Sequence, residues 1–406
     1  MPIPSLNLKQ ARLVNLAAQG LLTPPSSPAT KTDVLNAIQR IGSLQIDTIH
    51  VVARSPYFVL FSRVGNYQPG WLDELQVERS ILEQWAHEAS YVPLEDYALH
   101  RQRTLEGSRR AYFHGWAVEN WDKVTAVLDA VRSNGAVRSA DFKTEKQPGG
   151  WWNWKFEKAA LEYWFNEGKL LVVKRENFQR VYDLHERVLP DWNDSSLPSI
   201  DEIYSQLILK TVRALGVARP AWIADYFRIN KKTVASLLPA LISSGQLLES
   251  AVEGWTEPVL YLPEQEPLLL AALAGKLEAS CTTLLSPFDP LIWDRARTRQ
   301  LFNFDFTIQC YLPEAKRTYG YFPLPVLHNG ELVGRLDAKA HRKEGVFEVK
   351  SFYLEKDVSL TAEMSTALAG AVQNCAAWHQ TPQVVLTRCD PPECETALRS
   401  AFNSQG

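Results

Sequence analysis

The fold is decided by the stretch Gly216-Val-Ala-Arg-Pro-Ala-Trp-Ile-Ala-Asp-Tyr-Phe227, because its pattern occurs twice in the chain. The earlier copy, Gly135-Ala-Val-Arg-Ser-Ala-Asp-Phe142, has the same Gly-x-x-Arg spacing and the same closing Phe. Further along, each copy is followed by a Gly-[Lys/Gln]-Leu-Leu tetrapeptide, which begins at Gly168 or Gly245. Such a repeat indicates two copies of one supersecondary unit.

Helices and β-rich runs are predicted around both copies. Apolar residues at helical spacing predict helices at about 119–134 and 155–167 around the first copy, and at about 200–214 and 231–243 around the second. Each repeat ends in two β-rich runs that suit a hairpin, at 170–174 with 179–183 and at 246–249 with 259–262. This order of helices, turn and hairpin is typical of a winged helix, so the chain contains at least a tandem pair.

The remaining sequence predicts an α+β protein. Before the repeats, one helix is predicted from Leu6 to Leu22 and another from about Val34 toward Gln45. After them come β-branched and aromatic runs at 304–311, 319–328, 331–339 and 345–350. Asn329-Gly330 is a strong hairpin signal, because both positions favour positive φ. We expect a small antiparallel sheet or barrel, closed by a helix at about 361–378.

Composition narrows the functional class. The 406 residues are 46% apolar and 22% charged with a net charge of −3, which excludes a disordered chain and means that any nucleic-acid affinity depends on local basic surface. The five cysteines have no C-x-x-C spacing, so free thiols are expected rather than a disulfide framework or zinc ribbon. No apolar stretch is long enough to span a bilayer and no signal peptide is evident, so we expect a cytoplasmic protein.

The tripeptide Gln45-Ile46-Asp47 is the main catalytic candidate, and its residues leave two interpretations open. Asp47 could cap a helix that begins at Thr48. On an extended segment, alternatively, Gln45 and Asp47 would point the same way while Ile46 packs inward. A paired amide and carboxylate could then hold and activate one water for hydrolysis of an N-glycosidic bond.

Other motifs give weaker indications. His87 lies next to Glu88 but lacks the second His of H-E-x-x-H, which disfavours a zinc protease and leaves a buried core histidine as the simpler interpretation. Asp337 with Glu348 and Lys350 has the residue types of a Mg²⁺-dependent nuclease, although on an alternating strand they are more often an exposed charged face. Winged helices most often bind DNA, and many serve only as scaffolds.

Five separated motifs, taken together, resemble the bacterial winged-helix DNA glycosylases of the AlkZ type, and most closely their YcaQ (AlkX) branch. The resemblance covers residues 5–380. The motifs are Ser43-Leu-Gln-Ile-Asp-Thr-Ile-His-Val-Val-Ala-Arg-Ser-Pro-Tyr57, Trp85-Ala-His-Glu-Ala89, Asn177-Phe-Gln-Arg-Val-Tyr-Asp-Leu184 with Leu189-Pro-Asp-Trp192, Leu284-Leu-Ser-Pro-Phe-Asp-Pro-Leu-Ile-Trp-Asp-Arg295 and Lys316-Arg-Thr-Tyr-Gly-Tyr-Phe322.

The resemblance implies an architecture and an activity. Three tandem winged-helix domains, at 1–110, 111–192 and 193–270, would precede a C-terminal β-barrel domain with a closing helix at 271–406. The implied activity is that of a monofunctional glycosylase, which hydrolyses the N-glycosidic bond of N7-alkylated purines and unhooks N7-guanine interstrand crosslinks, leaving abasic sites. In the YcaQ branch the catalytic pair is Gln-Φ-Asp, which assigns Gln45 and Asp47 here.

The same resemblance, with the local basic clusters, supplies candidate DNA contacts. They are Arg54, Tyr57, Arg63, His87, Lys316, Arg317, Tyr319 and Arg335. The expected partner is double-stranded DNA bearing alkylated or crosslinked purines, bound by a monomer without a metal, a cofactor or a membrane. Two other functions stay open at this point: a non-catalytic winged-helix regulator and a Mg²⁺-dependent nuclease.

Overall fold

The computed structural model describes residues 4–25, 28–107, 111–142 and 155–404. Contacts divide the chain into two units. The first consists of Met1–Pro69 with Ile208–Gly406, and the second of Gly70–Leu207. Helices and strands occur in both units, so the α+β class is confirmed.

The N-terminal part of the first unit consists of helices with one short strand. Its elements are α1 (Leu8–Gln19), α2 (Lys31–Ile41), β1 (Leu44–Gln45) and α3 (Ser55–Val64). Both α1 and α2 begin with a capping box and end at a glycine in the left-handed conformation, Gly20 and Gly42. These signals shorten α1 at both ends relative to its apolar spacing, whereas they start α2 at Lys31, before Val34, and end it at Ile41, before Gln45.

The second unit contains the first repeat and a preceding hairpin. Its elements are α4 (Gly70–Val77), β2 (Ile81–Trp85), β3 (Ala89–Pro93), α5 (Tyr97–Leu105), α6 (Ala111–Glu119), α7 (Trp121–Asn134), α8 (Phe156–Asn166), β4 (Leu170–Glu176), β5 (Gln179–Leu184) and α9 (His185–Val188). β4 and β5 pair antiparallel, and Val137 forms a bridge to Tyr182 of β5. Buried residues of α7, α8 and this hairpin form one apolar core.

The second repeat follows α10 (Ile200–Leu215), in the first unit. It contains α11 (Pro220–Tyr226), α12 (Lys231–Ser243), β6 (Leu248–Ser250), β7 (Val259–Tyr261) and, after the hairpin, α13 (Glu266–Leu273). Ala218 bridges to Leu260 of β7, as Val137 bridges to Tyr182 in the first repeat. The predicted order of helix, turn, helix and hairpin is therefore present in both repeats.

The shared Gly-[Lys/Gln]-Leu-Leu tetrapeptide has a structural explanation. Gly168 and Gly245 follow α8 and α12 with φ of 69° and 73°. After each glycine, the next backbone N–H donates back across the last helical turn, from Lys169 to Trp164 at 2.9 Å and from Gln246 to Leu241 at 3.0 Å. Glycine meets the positive φ of this helix ending without a Cβ penalty, so the motif marks the exit from the helix into the wing.

The C-terminal part of the first unit is built on a mixed sheet. Its elements are β8 (Thr282–Leu284), α14 (Arg295–Phe302), β9 (Leu324–His328), β10 (Glu331–His341), β11 (Val346–Leu354), α15 (Ala362–Trp378), β12 (Gln383–Leu386), β13 (Cys389–Asp390) and α16 (Glu395–Ser404). The strand order is β12-β11-β10-β9-β8, with β13 also paired to β11. The hairpin at Asn329-Gly330 is confirmed, with φ of 46° and 86°.

Two details of the predicted C-terminal sheet are wrong. β12 and β13 are parallel to β11, because α15 carries the chain across the sheet before it pairs again. Residues 304–311 form no strand in the described structure. Their alternation instead buries the rings of Phe304 and Phe306 without a strand partner. Among the described residues, no helix is both long and apolar enough to cross a membrane.

Candidate active site

The Gln45-Ile46-Asp47 tripeptide begins on the last residue of β1 and continues into a segment without regular secondary structure. Gln45 and Ile46 are both buried, and Asp47 is half-buried. No helix begins at Thr48 in the described chain; the next helix is α3, which begins at Ser55. The interpretation of Asp47 as a helix cap is therefore wrong. Its Oδ1 atom instead accepts the backbone N–H of Ile49 at 2.7 Å, which forms a local turn.

The end of α2 fixes where this segment starts. Gly42 adopts φ 65°, and its N–H donates to Ile38 at 2.8 Å. The hydroxyl of Tyr226, from α11, donates to the carbonyl oxygen of Ile41 at 2.7 Å. Burial of this phenol raises its pKa to about 12, so it stays a donor at neutral pH. The second repeat thus holds the helix end from which the catalytic candidates extend.

Burial changes the pKa of the Asp47 carboxyl. It raises the pKa of Asp47 above the ordinary value, and the hydrogen bond from Ile49 acts in the opposite direction. Within the described part of the chain, no lysine or arginine forms an ion pair with Asp47. A carboxylate with a raised pKa and no paired cation is a stronger base than a solvated one, and its charge is available to a cationic reacting group.

The loop between α14 and β9 lies beside Asp47. Burial raises the pKa of both Cys310 and Tyr311, and the negative charge of Asp47 raises each further. The ring of Tyr311 is 75% exposed, and Leu312 next to it is 36% exposed. An exposed aromatic ring in this position can stack on a nucleobase. No sequence signal separated Tyr311 from the other tyrosines of the chain.

A buried carboxylate holds the far end of this loop. The N–H of Tyr321 donates to Oδ2 of Asp337 on β10 at 3.3 Å. Gly320 adopts φ 102°, and a Cβ placed there would clash with the Asp337 side chain, 2.5 Å or less from its Cβ, carboxyl carbon and Oδ2. Burial raises the pKa of Asp337, as it does for Asp47. Only glycine allows this approach of loop to strand, which explains the Tyr-Gly-Tyr sequence.

Arg63 is a structural residue. It is 7% exposed, and its Nη1 and Nη2 donate to the two carboxylate oxygens of Asp289 at 2.6 and 2.9 Å. Asp289 itself is fully buried and also accepts the N–H of Leu291 at 2.8 Å. The pair joins α3 to the Leu284–Arg295 motif. A guanidinium enclosed in this way cannot reach a phosphate, so the predicted DNA contact of Arg63 is wrong.

Arg335 is also enclosed. It is 3% exposed, pairs with Glu355 at 2.6 Å and donates to the carbonyl oxygen of Asp305 at 2.9 Å. Its guanidinium lies 4.2 Å from the ring centroid of Phe304 and 4.3 Å from that of Tyr319. The predicted phosphate contact of Arg335 is wrong for the same reason as that of Arg63. Arg335 instead fixes the Tyr319 ring and with it the loop beside Asp47.

The other predicted DNA contacts occupy different surroundings. Lys316 is exposed on the loop, whereas Arg317 is half-buried, donates to the carbonyl oxygen of Leu312 at 2.9 Å and stacks on Tyr321 at 4.9 Å. Arg54 and Tyr57 line a solvent-open cavity at the N-terminus of α3. His87 lies in the other unit, buried in the turn between β2 and β3.

The residue types suggestive of a nuclease do not form a metal site. Among the described residues, no cluster of three or more His, Cys, Asp or Glu side chains could hold a metal ion. Glu348 pairs with Nε2 of His341 at 2.8 Å, and Asp337 is engaged by the loop. The motif is therefore explained by sheet and loop contacts.

Comparison with known proteins identifies the family. The solved structure of the Streptomyces sahachiroi DNA glycosylase AlkZ matches with a TM-score of 0.61 at 14% identity, covering 94% of this chain and 100% of that one, which shows a shared fold. The model of the family "DNA glycosylase AlkZ-like" matches residues 38–378, a span that includes the Gln45-Ile46-Asp47 segment and the loop beside it. This chain belongs to the AlkZ-like DNA glycosylase family.

Proposed function

We propose that this DNA glycosylase hydrolyses the N-glycosidic bond of N7-alkylated purines and unhooks N7-guanine interstrand crosslinks, leaving abasic sites. The observation that carries the proposal is the environment of the Asp47 carboxyl. This carboxyl is half-buried and has a raised pKa, and it forms no ion pair in the described chain. Gln45, the buried last residue of β1, lies two positions before Asp47, and we assign its amide to orienting the attacking water or the sugar.

The chemistry needs little more than this carboxylate. A purine alkylated at N7 carries a positive charge, so the C1′–N9 bond can break without an added proton. The electron pair of that bond leaves with the base, which becomes neutral, while positive charge develops on the sugar. Asp47 stabilises this charge and accepts a proton from the water whose oxygen bonds to C1′. A separate catalytic acid is unnecessary.

The surroundings of Asp47 suit a bulky substrate. A crosslinked purine cannot rotate fully out of the duplex, so an enclosed pocket for a flipped base would exclude it. Asp47 instead lies beside a loop whose residues Tyr311 and Leu312 are exposed. Lys316 on the same loop adds an exposed positive charge that suits a phosphate.

Single-turnover base release tests the proposal. Wild type and the Asp47→Asn variant are compared on a duplex with one N7-methylguanine and on one with a nitrogen-mustard crosslink, both in EDTA. We expect wild type to produce an alkali-labile abasic site without strand cleavage, and Asp47→Asn to be slower by about 10²–10⁴-fold. Asp357→Asn, which changes an exposed aspartate after β11, is the matched control and should retain full rate.

Two results would overturn the proposal. Equal rates for wild type and Asp47→Asn would remove Asp47 from the reaction. The second result is strand cleavage that requires added Mg²⁺, with no base release in EDTA. It would mean that the protein acts on these lesions as a nuclease.

A further inference from the structure

A cavity of about 310 Å³ opens to solvent in the first unit. Its lining comes from the N-terminus of α3, the turn between β10 and β11, and the C-terminal end of α15. The lining residues that carry the argument are His50, Arg54, Tyr57, Arg342, Trp378 and His379. His50 is three residues from Asp47, so their Cα atoms are at most about 11 Å apart.

The cavity is cationic. Two arginines and two histidines line it, and no carboxylate is among the described residues of its lining. Burial lowers the pKa of His50, and the charges of Arg54 and Arg342 lower it further. Burial lowers the pKa of His379 to about 4, again with a contribution from Arg342. Both histidines are therefore uncharged at neutral pH, and the positive charge that favours an anion is that of Arg54 and Arg342.

Hydrogen-bonding capacity in the cavity is only partly used. Arg342 donates through Nη2 to the carbonyl oxygen of Val52 at 2.6 Å and, in the described chain, forms no ion pair with a carboxylate. The Nδ1 atom of His379 lies 2.9 Å from the carbonyl oxygen of Cys375. Arg342 therefore keeps further N–H donors with which it can contact an anion.

Rigid packing holds this geometry in place. Trp378 stacks on Phe61 with ring centroids 4.7 Å apart, and its Nε1–H donates to the carbonyl oxygen of Tyr67 at 2.9 Å. The N-terminus of α3 adds the partial positive charge of a helix end next to Arg54. The site is thus built from three elements before any ligand arrives.

We propose that this cavity binds one phosphodiester of the substrate strand, close to the nucleotide whose base is released. Arg342 and Arg54 contact its oxygens, while the rings of Trp378 and Tyr57 flank the adjoining sugar. The inference rests on the proposed function, because proximity to Asp47 sets the position of the phosphate. Binding here fixes the register of the damaged sugar against Asp47.

Neutral backbone substitutions test the inference. Duplexes carry N7-methylguanine and a single methylphosphonate at each nearby phosphate in turn, and single-turnover efficiency is measured below saturation. The efficiency of wild type should fall about tenfold when the methylphosphonate is at one particular position, because one charge-assisted contact is removed. The efficiency of Arg342→Gln should be lower by a similar factor on the unmodified duplex. A methylphosphonate at that position should then cause no further loss in this variant. Arg399→Gln, which changes an exposed arginine on α16, should behave as wild type at every position.

If the loss caused by Arg342→Gln adds to the loss caused by the methylphosphonate at every position, the inference is overturned. The proposed base-release activity would still stand. If wild type releases no base, the proposed function fails, and binding to an undamaged duplex then tests the cavity separately. In that assay Arg342→Gln should reduce the slope of log affinity against log salt by about one. An unchanged slope would overturn the cavity as a phosphate site. Arg342→Lys, which keeps the charge, should restore most of the slope and shows that the loss is not a folding defect.

Discussion

The backbone N–H of Ile49 donates to Oδ1 of Asp47 at 2.7 Å, and this bond opposes the effect of burial on the same carboxyl. Burial dominates, so the pKa of Asp47 is raised. One carboxylate oxygen is thus held by the backbone, and the other is the one that the proposed reaction assigns to the water or the sugar. No helix follows this turn before α3, so the bond from Ile49 holds the carboxyl without capping a helix.

The rate of base release should therefore depend on pH through Asp47. In the proposed reaction the carboxylate is the active form, so we expect the single-turnover rate to fall as pH drops through the raised pKa of Asp47, at a midpoint above the ordinary value of about 3.9. Rates are measured from about pH 4 to pH 8 after subtraction of uncatalysed release. The Asp47→Asn variant should give a low, flat profile. A wild-type midpoint at or below the ordinary value would contradict a buried catalytic carboxylate.

The burial of Asp47 should also lower the free energy of unfolding at neutral pH. Because its pKa is higher in the folded than in the unfolded chain, ionisation disfavours folding, and the penalty grows as pH rises through the two values. Asp47→Asn removes the charge and keeps an oxygen that can accept from Ile49. We expect its free energy of unfolding to exceed that of wild type at pH 7, with the difference vanishing below about pH 4. Urea unfolding at both pH values measures this, and a variant less stable than wild type at pH 7 would contradict it.

Arg63 should govern stability and leave DNA binding unchanged. Replacement by Met leaves Asp289 as an unpaired buried charge, which costs about 3–5 kcal/mol. The double variant Arg63→Met with Asp289→Leu should recover much of that loss, because no isolated charge remains. Denaturant unfolding gives the stability, and anisotropy gives duplex affinity for the folded fraction. A reduced salt slope with unchanged stability would restore Arg63 as a phosphate contact.

The repeats could be located from the sequence for physical reasons. Periodicity and glycine signals are local, so the helix at Lys231–Ser243 and the turn at Asn329-Gly330 are predicted closely. Burial of a charge depends instead on distant partners. Arg63 resembles a surface arginine until Asp289, more than two hundred residues away, is placed against it. The proximity of Tyr311 to Asp47 and the approach of Gly320 to Asp337 likewise require the tertiary fold.

Gly320 should tolerate no side chain. In Gly320→Ala, the new Cβ meets the Asp337 carboxyl at a φ of 102°, and strain of this kind costs about 1–3 kcal/mol. The loop must move, so base release should slow as well. Gly345→Ala, at φ 70° with open space around its Cβ, is the control for backbone strain alone. Equal stability and rate in the two variants would show that the contact between Gly320 and Asp337 is unimportant.

Tyr311 should affect the reaction without affecting folding. Its ring is 75% exposed, so Tyr311→Ala removes little buried surface, and the free energy of unfolding should stay within about 0.5 kcal/mol of wild type. If the ring stacks on a base beside Asp47, its loss costs about 1–3 kcal/mol of duplex binding, whereas Tyr311→Phe keeps the stacking face and should bind as wild type. Leu270→Ala, at a 47% exposed position on α13, is the control for loss of exposed apolar surface. Fluorescence anisotropy measures the duplex affinity of each variant. Equal affinity of Tyr311→Ala and Leu270→Ala would mean that the Tyr311 ring does not contact DNA.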